Sequence, residues 1–208
     1  MDTSDQQQLG RTFEAIDQFR CQARDAAGAR CMVLEGRGKT GAVRAYLAAH
    51  TPVEGMGGAT GGPILYLPVL PPATVAGLTA ALTAEVFGTQ DSAPRRGAYT
   101  GGLHRLVSAL RDRAVALVIL DDAQNLGLGL SNRLVDANVD WLKRLIKGTD
   151  VPVLLVGEGA GIAAIMGRDV ALSHHSTARV HLAGSSTGRE PLPTLPHDPD
   201  GELARPRR

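Results

Sequence analysis

The chain has 208 residues, 43% of them hydrophobic and 21% charged, with a formal net charge of +1; this suits one folded domain with a sizeable core and excludes a charge-rich disordered chain. The near-neutral balance excludes a globally basic nucleic-acid binder, so any DNA contact has to come from local patches. Cys21 and Cys31 fit no metal-ligand or secretory framework, no apolar run reaches membrane-span length, and the polar start Met1 to Gly10 is unlike a signal peptide, so the expected compartment is cytoplasmic with no membrane partner.

In chain order, residues 1–10 are polar and are expected to be flexible. From Thr12 to Arg24, Ala15, Ile16, Phe19 and Ala23 recur at helical spacing, which predicts an amphipathic helix. Cys31 to Leu34 is a short apolar run, read as the first strand. Gly36-Arg37-Gly38-Lys39-Thr40-Gly41 comes next, and then a helical segment from Ala42 to Ala49. Strand, glycine-rich turn, Gly-Lys-Thr and helix form the layout of a phosphate-binding loop. Glycines let the backbone wrap a phosphate, the lysine ammonium reaches the outer phosphates, and the threonine hydroxyl ligates magnesium. The full pattern GxxxxGK[ST] would place glycine at position 33, where the chain has Val33. Either valine replaces the first glycine, or the loop is shortened and the strand runs into it.

Gly55 to Gly62 reads as a glycine-rich loop. Ile64 to Val69 reads as a second strand, stopped by Pro71-Pro72. Val75, Leu78, Leu82 and Val86 mark one face of a helix. After the polar stretch Thr89 to Gly102, Leu103, Leu106, Val107 and Leu110 mark another. Ala116 to Leu120 is continuously apolar, as expected of a strand covered on both faces, and it runs into Asp121-Asp122. Asn132 to Lys147 is the longest predicted helix, with Leu134, Trp141, Leu142, Leu145 and Ile146 toward the core. Val151 to Val156 and Ala178 to Leu182 complete five strands, and residues 184–208, rich in Pro, Gly, Ser and Arg, are expected to be a disordered tail. Strands alternating with helices predict a three-layer α/β fold with a five-stranded parallel sheet over residues 11–183.

Leu117-Val118-Ile119-Leu120-Asp121-Asp122 pairs with the phosphate loop as a Walker B strand, its carboxylates at the strand's C-terminal edge, where such sheets face their ligand. Asp121 is the candidate magnesium ligand with Thr40, and Asp122 the candidate general base. Aspartate is one methylene shorter than the glutamate usual at the second place, so slow hydrolysis is expected. The bland alternative is that both residues end a buried strand and cap the next element. Val153 to Val156 leads into Gly157-Glu158, where a polar residue sensing the γ-phosphate is expected in such sheets; Glu158 is nearest, and a simple turn is at least as good a reading. His174, His175 and His181 are better read as loop histidines than as a metal site. Arg95-Arg96, Arg111-Arg113 and Lys143-Arg144-Lys147 are local basic clusters that could meet DNA phosphates or simply be solvated faces.

The order of these motifs resembles the TniB/TnsC group of AAA+ ATPases, transposition regulators that include the phage Mu target-capture ATPase. The resemblance runs from about Thr12 to Leu182. It rests on Arg11-Thr12-Phe13-Glu14-Ala15-Ile16, the Gly-Lys-Thr segment, Pro63-Ile64-Leu65-Tyr66-Leu67, Ile119-Leu120-Asp121-Asp122-Ala123-Gln124-Asn125-Leu126, and Val153 to Gly157 with Ala178 to Leu182 behind it. It implies an ATP- and magnesium-dependent adaptor that assembles as a homo-oligomer on double-stranded DNA and recruits a transposase or integrase. It also implies an arginine finger reaching a neighbour's γ-phosphate, with Arg179 and Arg168 as candidates, although for each singly a locally paired surface arginine is the better reading. The chain departs from that group at Val33, at Asp122, and in a helical lid that is reduced or absent. Two alternatives stand beside it. One is a small monomeric nucleotide enzyme; the other is a non-catalytic module that kept the fold, which Val33 and Glu35 beside the phosphate loop favour.

Overall fold

The computed structural model describes residues 3–23, 30–50, 62–87, 99–169 and 176–182. Five strands, β1 (Cys31–Gly36), β2 (Ile64–Pro68), β3 (Leu117–Asp121), β4 (Val153–Val156) and β5 (Ser176–Leu182), form one sheet in the order β2-β3-β4-β1-β5, with every neighbouring pair parallel. Six α-helices accompany them among the described residues: α1 (Thr3–Gln22), α2 (Lys39–His50), α3 (Val75–Phe87), α4 (Tyr99–Asp112), α5 (Asn132–Thr149) and α6 (Gly159–Met166). Parallel strands cannot be joined by hairpins, and the helices serve as the crossovers.

Successive strand residues point to opposite faces, so each continuous apolar run feeds two cores. Met32, Leu34, Leu117, Ile119, Leu154 and Val156 pack on one face with Ile16 and Phe19 of α1 and Val43 and Tyr46 of α2. Cys31, Val33, Val118, Leu120, Val153 and Leu155 pack on the other with α3 to α6. Trp141 of α5 is buried there, and its indole N–H donates to Thr79 Oγ1 at 3.0 Å, joining α5 to α3. Leu134, expected inward, is instead 40% exposed; Val135, Asn138 and Val139 take the inward face of α5's first turns.

Residues 3–10, expected to be flexible, are helical. Leu9 packs against the first core, and Thr12 Oγ1 donates to Gln8 O at 2.8 Å. The far end of that helix is clamped to α2. Tyr46, fully buried, donates its hydroxyl to Asp17 Oδ1 at 2.6 Å and accepts from Arg20 Nη1 at 2.9 Å. His50 stacks on the Tyr46 ring at 4.0 Å, with Phe13 against the ring's edge. The stretches 51–61 and 88–98, which carry most of the glycine-rich loop and Arg95-Arg96, lie outside the described residues. So do His174, His175 and residues 183–208, where the tail and any lid would fall.

Candidate functional site

Strand order decides where the motifs meet. β1 and β3 both flank β4, so the loop after β1 and the carboxylates after β3 arrive at the same C-terminal edge on either side of β4's end. The loop itself is short. β1 stays paired with β5 as far as Gly36 opposite Leu182, and α2 begins at Lys39, leaving only Arg37 and Gly38 between them. Val33 is therefore not a substituted loop glycine. It lies mid-strand opposite Leu155 and Arg179, and its side chain is core. The shortened-loop alternative holds, and it provides fewer backbone amides than a full loop would. Gly36 is required twice over: its φ is 109°, and a Cβ there would sit 2.2 Å from Leu182 O. Gly38, with φ 77° and open space around it, turns the chain into α2.

The first α2 hydrogen bond is donated by Ala42 N to Gly38 O, so the preceding amides of the helix start have no acceptor within the helix. With the positive helix end and the Lys39 ammonium, which makes no ion pair among the described residues, this edge attracts anions. Thr40, on the first turn, directs its hydroxyl to Asp121 Oδ1 at 3.4 Å. Asp121 is 1% exposed, and its other donors are the Asp122 amide to Oδ1 at 3.0 Å and the Tyr66 hydroxyl to Oδ2 at 2.8 Å. Burial and then the bond to Asp121 raise the Tyr66 pKa, so the phenol stays a donor; the Arg44 guanidinium beside it acts weakly in the opposite direction. No cation pairs with Asp121 among the described residues. A buried carboxylate held only by neutral donors, beside a threonine hydroxyl, is the hard-oxygen set that suits magnesium.

Tyr66 reads in the sequence as a strand residue and not as a site residue. The signal is positional: it lies near the end of β2, two places from the strand's last residue, and β2 neighbours β3 only because of the strand order.

Asp122 leaves the strand with φ 55° and ψ 39°, a left-handed conformation that aspartate tolerates. Its side chain is exposed and makes no capping bond to the 3₁₀ turn Ala123–Leu126; Asp122 caps that turn through its backbone alone, its carbonyl accepting from Asn125 N at 2.9 Å. Gln124 Nε2 donates to Asp122 Oδ1 at 3.2 Å, and Gln124 Oε1 accepts from the Glu158 amide at 3.1 Å. The Glu158 side chain is exposed at the start of α6; what the turn after β4 contributes to the edge is the Glu158 backbone amide. Asn125 fixes the same turn to the end of β2 by donating to Val69 O at 2.8 Å.

Glu35 does not face the phosphate loop's open side. Its carboxylate lies against Gly159, where a Cβ would come within 1.9 Å of Oε2, and it pairs with His181 at 3.7 Å. Arg168 is tied to α5, donating to Asp136 Oδ1 and Asn132 Oδ1, both at 2.7 Å. Arg179 is exposed mid-strand on β5, three residues and so roughly 10 Å below the strand end that meets Gly36. The structure thus brings Gly36 to Gly41, Asp121 and Asp122 together and leaves both arginines outside that group. The basic clusters are largely paired: Arg111 with Asp150, Lys143 with Asp169, Arg144 with Asp140, and Arg113 over the Phe87 ring. Among the described residues no three or more histidine, cysteine, aspartate or glutamate side chains cluster as a metal site, and no helix is long and apolar enough to cross a membrane.

The family model described as an AAA domain matches residues 27–166. Among solved structures, the chain resembles the Aeropyrum pernix ORC2 protein in its ADPNP-ADP complexes, with a TM-score of 0.54, 19% identity, and coverage of 81% of this chain and 46% of that one. It resembles Cdc6p from Pyrobaculum aerophilum with a TM-score of 0.54, 18% identity, and coverage of 83% and 44%. It also resembles a chain of Drosophila ORC bound to GC-rich DNA and Cdc6, with a TM-score of 0.56, 13% identity, and coverage of 88% and 60%. At these identities the likeness is one of fold, and the chain spans about half the length of the first two. No curated protein sequence matches the chain.

Proposed function

Because the chain belongs to the AAA domain family, we propose that it binds ATP with magnesium at the edge formed by Gly36 to Gly41 and Asp121, and hydrolyses it slowly. The observation that carries this reading is the meeting of Thr40 and Asp121, 81 positions apart in sequence, in a direct side-chain contact beside Lys39. Lys39 and the α2 amides hold the phosphates, and Thr40 and Asp121 are the residues that would hold magnesium. Magnesium when bound neutralises phosphate charge. Asp122 accepts the proton of the attacking water. Its Oδ2 is the free oxygen, since Gln124 occupies Oδ1. The short arm of Asp122 and the two-residue loop both make turnover slow.

In the cell this core serves as an ATP-dependent regulator of DNA transposition that assembles on double-stranded DNA and recruits a transposase or integrase. Support comes from the order of motifs and from solved relatives of the same fold that include ORC bound to DNA. Arg179 is the better candidate finger toward a neighbouring copy, because it makes no ion pair among the described residues whereas Arg168 is held by Asp136. A non-catalytic module is the second reading, favoured by the shortened loop alone.

The test is titration of a fluorescent ATP analogue against the wild type and Lys39→Ala, and then sedimentation with double-stranded DNA at two salt concentrations. Affinity is expected to fall on the order of 100-fold in the variant, as loss of a charge-assisted phosphate contact implies. Association with DNA is expected to need ATP and to weaken steeply with salt. Equal affinities for the two proteins would defeat the nucleotide site; a protein that stays off DNA with ATP bound would defeat only the adaptor role.

A further inference from the structure

We infer that Gln124 is the positioning residue that aims Asp122, and that Gly157 lacks a side chain because Gln124 occupies its space. The inference rests on the reading of Asp122 as the base. The amide group is fixed by its two different ends. Oε1 accepts from the Glu158 backbone amide, which can only donate, so Nε2 must be the end that faces Asp122 Oδ1. An exposed aspartate on a left-handed residue is thereby tied to the start of α6, just beyond β4. Without that tie its carboxylate would sample several rotamers in water.

The end of β4 is shaped around this amide. A Cβ on Gly157 would stand 2.1 Å from Gln124 Oε1, and one on Gly161 would stand 2.6 Å from Gln124 Cβ. Position 157 is where a polar side chain from β4 would otherwise reach the phosphate edge. Here the polar group arrives instead from the turn after β3, and the start of α6 contributes the Glu158 N–H. The contact at Gly157 is with the far end of a flexible side chain, so a methyl group there displaces the Gln124 amide without forcing backbone apart; the nearest backbone atom, Ala123 N, would be 3.2 Å away.

That geometry makes Gly157→Ala and Gln124→Ala two ways of removing one contact. The experiment is a double-mutant cycle on ATP turnover, with KM and kcat measured separately and folding checked by thermal melts. Each single variant is expected to keep KM within about 2-fold and to lose on the order of 10- to 100-fold in kcat, the scale of a misplaced catalytic group. The double variant is expected to lose no more than either single one. Gln124→Glu, which keeps the volume and the acceptor but loses the donor toward Asp122, is expected to be as slow as Gln124→Ala.

Full additivity of the two losses, or wild-type kcat in Gln124→Glu, would overturn the inference. If wild-type turnover is unaffected by Asp122→Asn, the base assignment fails and the inference falls with it. Turnover that requires Asp122 but ignores Gln124 overturns the inference alone.

Discussion

Helix α2 has a tyrosine–aspartate pair at each end, and the two are built in opposite ways. Toward its C-terminus Tyr46 is fully buried and its partner Asp17 is half exposed, with Arg20 and His50 both within ion-pair distance of the carboxylate. At the N-terminal end the aspartate is buried, at 1% exposure, and its partner Tyr66 is only partly covered. Asp121 has hydroxyl and amide donors but no cation among the described residues. In the first pair the ring is what folding uses, and the charge is already neutralised. In the second pair the charge is what is kept, desolvated and without a counter-ion among the described residues. A carboxylate left in that state beside a helix N-terminus and Lys39, which makes no ion pair among the described residues, is suited to hold a cation brought in with an anionic ligand.

The contrast is broken most severely at the first pair. Tyr46→Ala removes a filled core position and is expected to cost about 3–5 kcal/mol in urea unfolding, while the folded fraction keeps its ATP affinity. A loss of affinity in folded protein would mean that the clamp and the site are coupled.

Tyr66→Phe is the next largest effect. It strips one donor from a buried charge and is expected to cost about 1.5–3 kcal/mol, with part regained on adding ATP and magnesium. A stability unchanged from wild type would mean that Asp121 does not depend on Tyr66. The same variant sharpens the comparison at high pH. Both tyrosine pKa values are raised in the fold, first by burial and then by the bond to the aspartate. Below the ordinary tyrosine value of 10.0 both phenols are protonated, folded or not. Above it the unfolded chain releases protons that the fold retains, so stability falls as pH rises through the alkaline range. Melts of wild type should show that fall, and Tyr66→Phe should make it shallower, leaving the share that belongs to Tyr46.

The same physics divides the features that the sequence disclosed from those it hid. The inner strands β1, β3 and β4 were legible because they read as unbroken apolar runs covered on both faces, whereas the edge strands β2 and β5 mix buried with half-buried or exposed residues. The acidic pair and Gly-Lys-Thr were legible because their chemistry is local. The shortening of the loop was not, because it depends on β1 pairing with β5 as far as Gly36, a contact between distant segments. Tyr66 and Gln124 were hidden for the same reason: each acquires its role from a strand or turn brought beside it by the sheet order. The helical start at residues 3–10 was hidden because its polar composition gives no sign that Leu9 has a core to meet.

The smallest effect belongs to Arg168. Its pair with Asp136 is exposed, so Arg168→Ala is expected to cost under about 1 kcal/mol and to leave turnover unchanged at every protein concentration. A concentration-dependent loss of turnover would restore it as a finger toward a neighbouring copy.

If Asp121 is kept charged for a divalent cation that arrives with ATP, the nucleotide should stabilise the fold only when that cation is present. Thermal shift by ATP, measured with and without magnesium in wild type and Asp121→Asn, tests this most directly. The expected result is a shift in wild type that requires magnesium, equivalent to about 2.7 kcal/mol at ATP 100-fold above its Kd, and little or none in Asp121→Asn. An equal shift without magnesium, or an undiminished one in the variant, would contradict it.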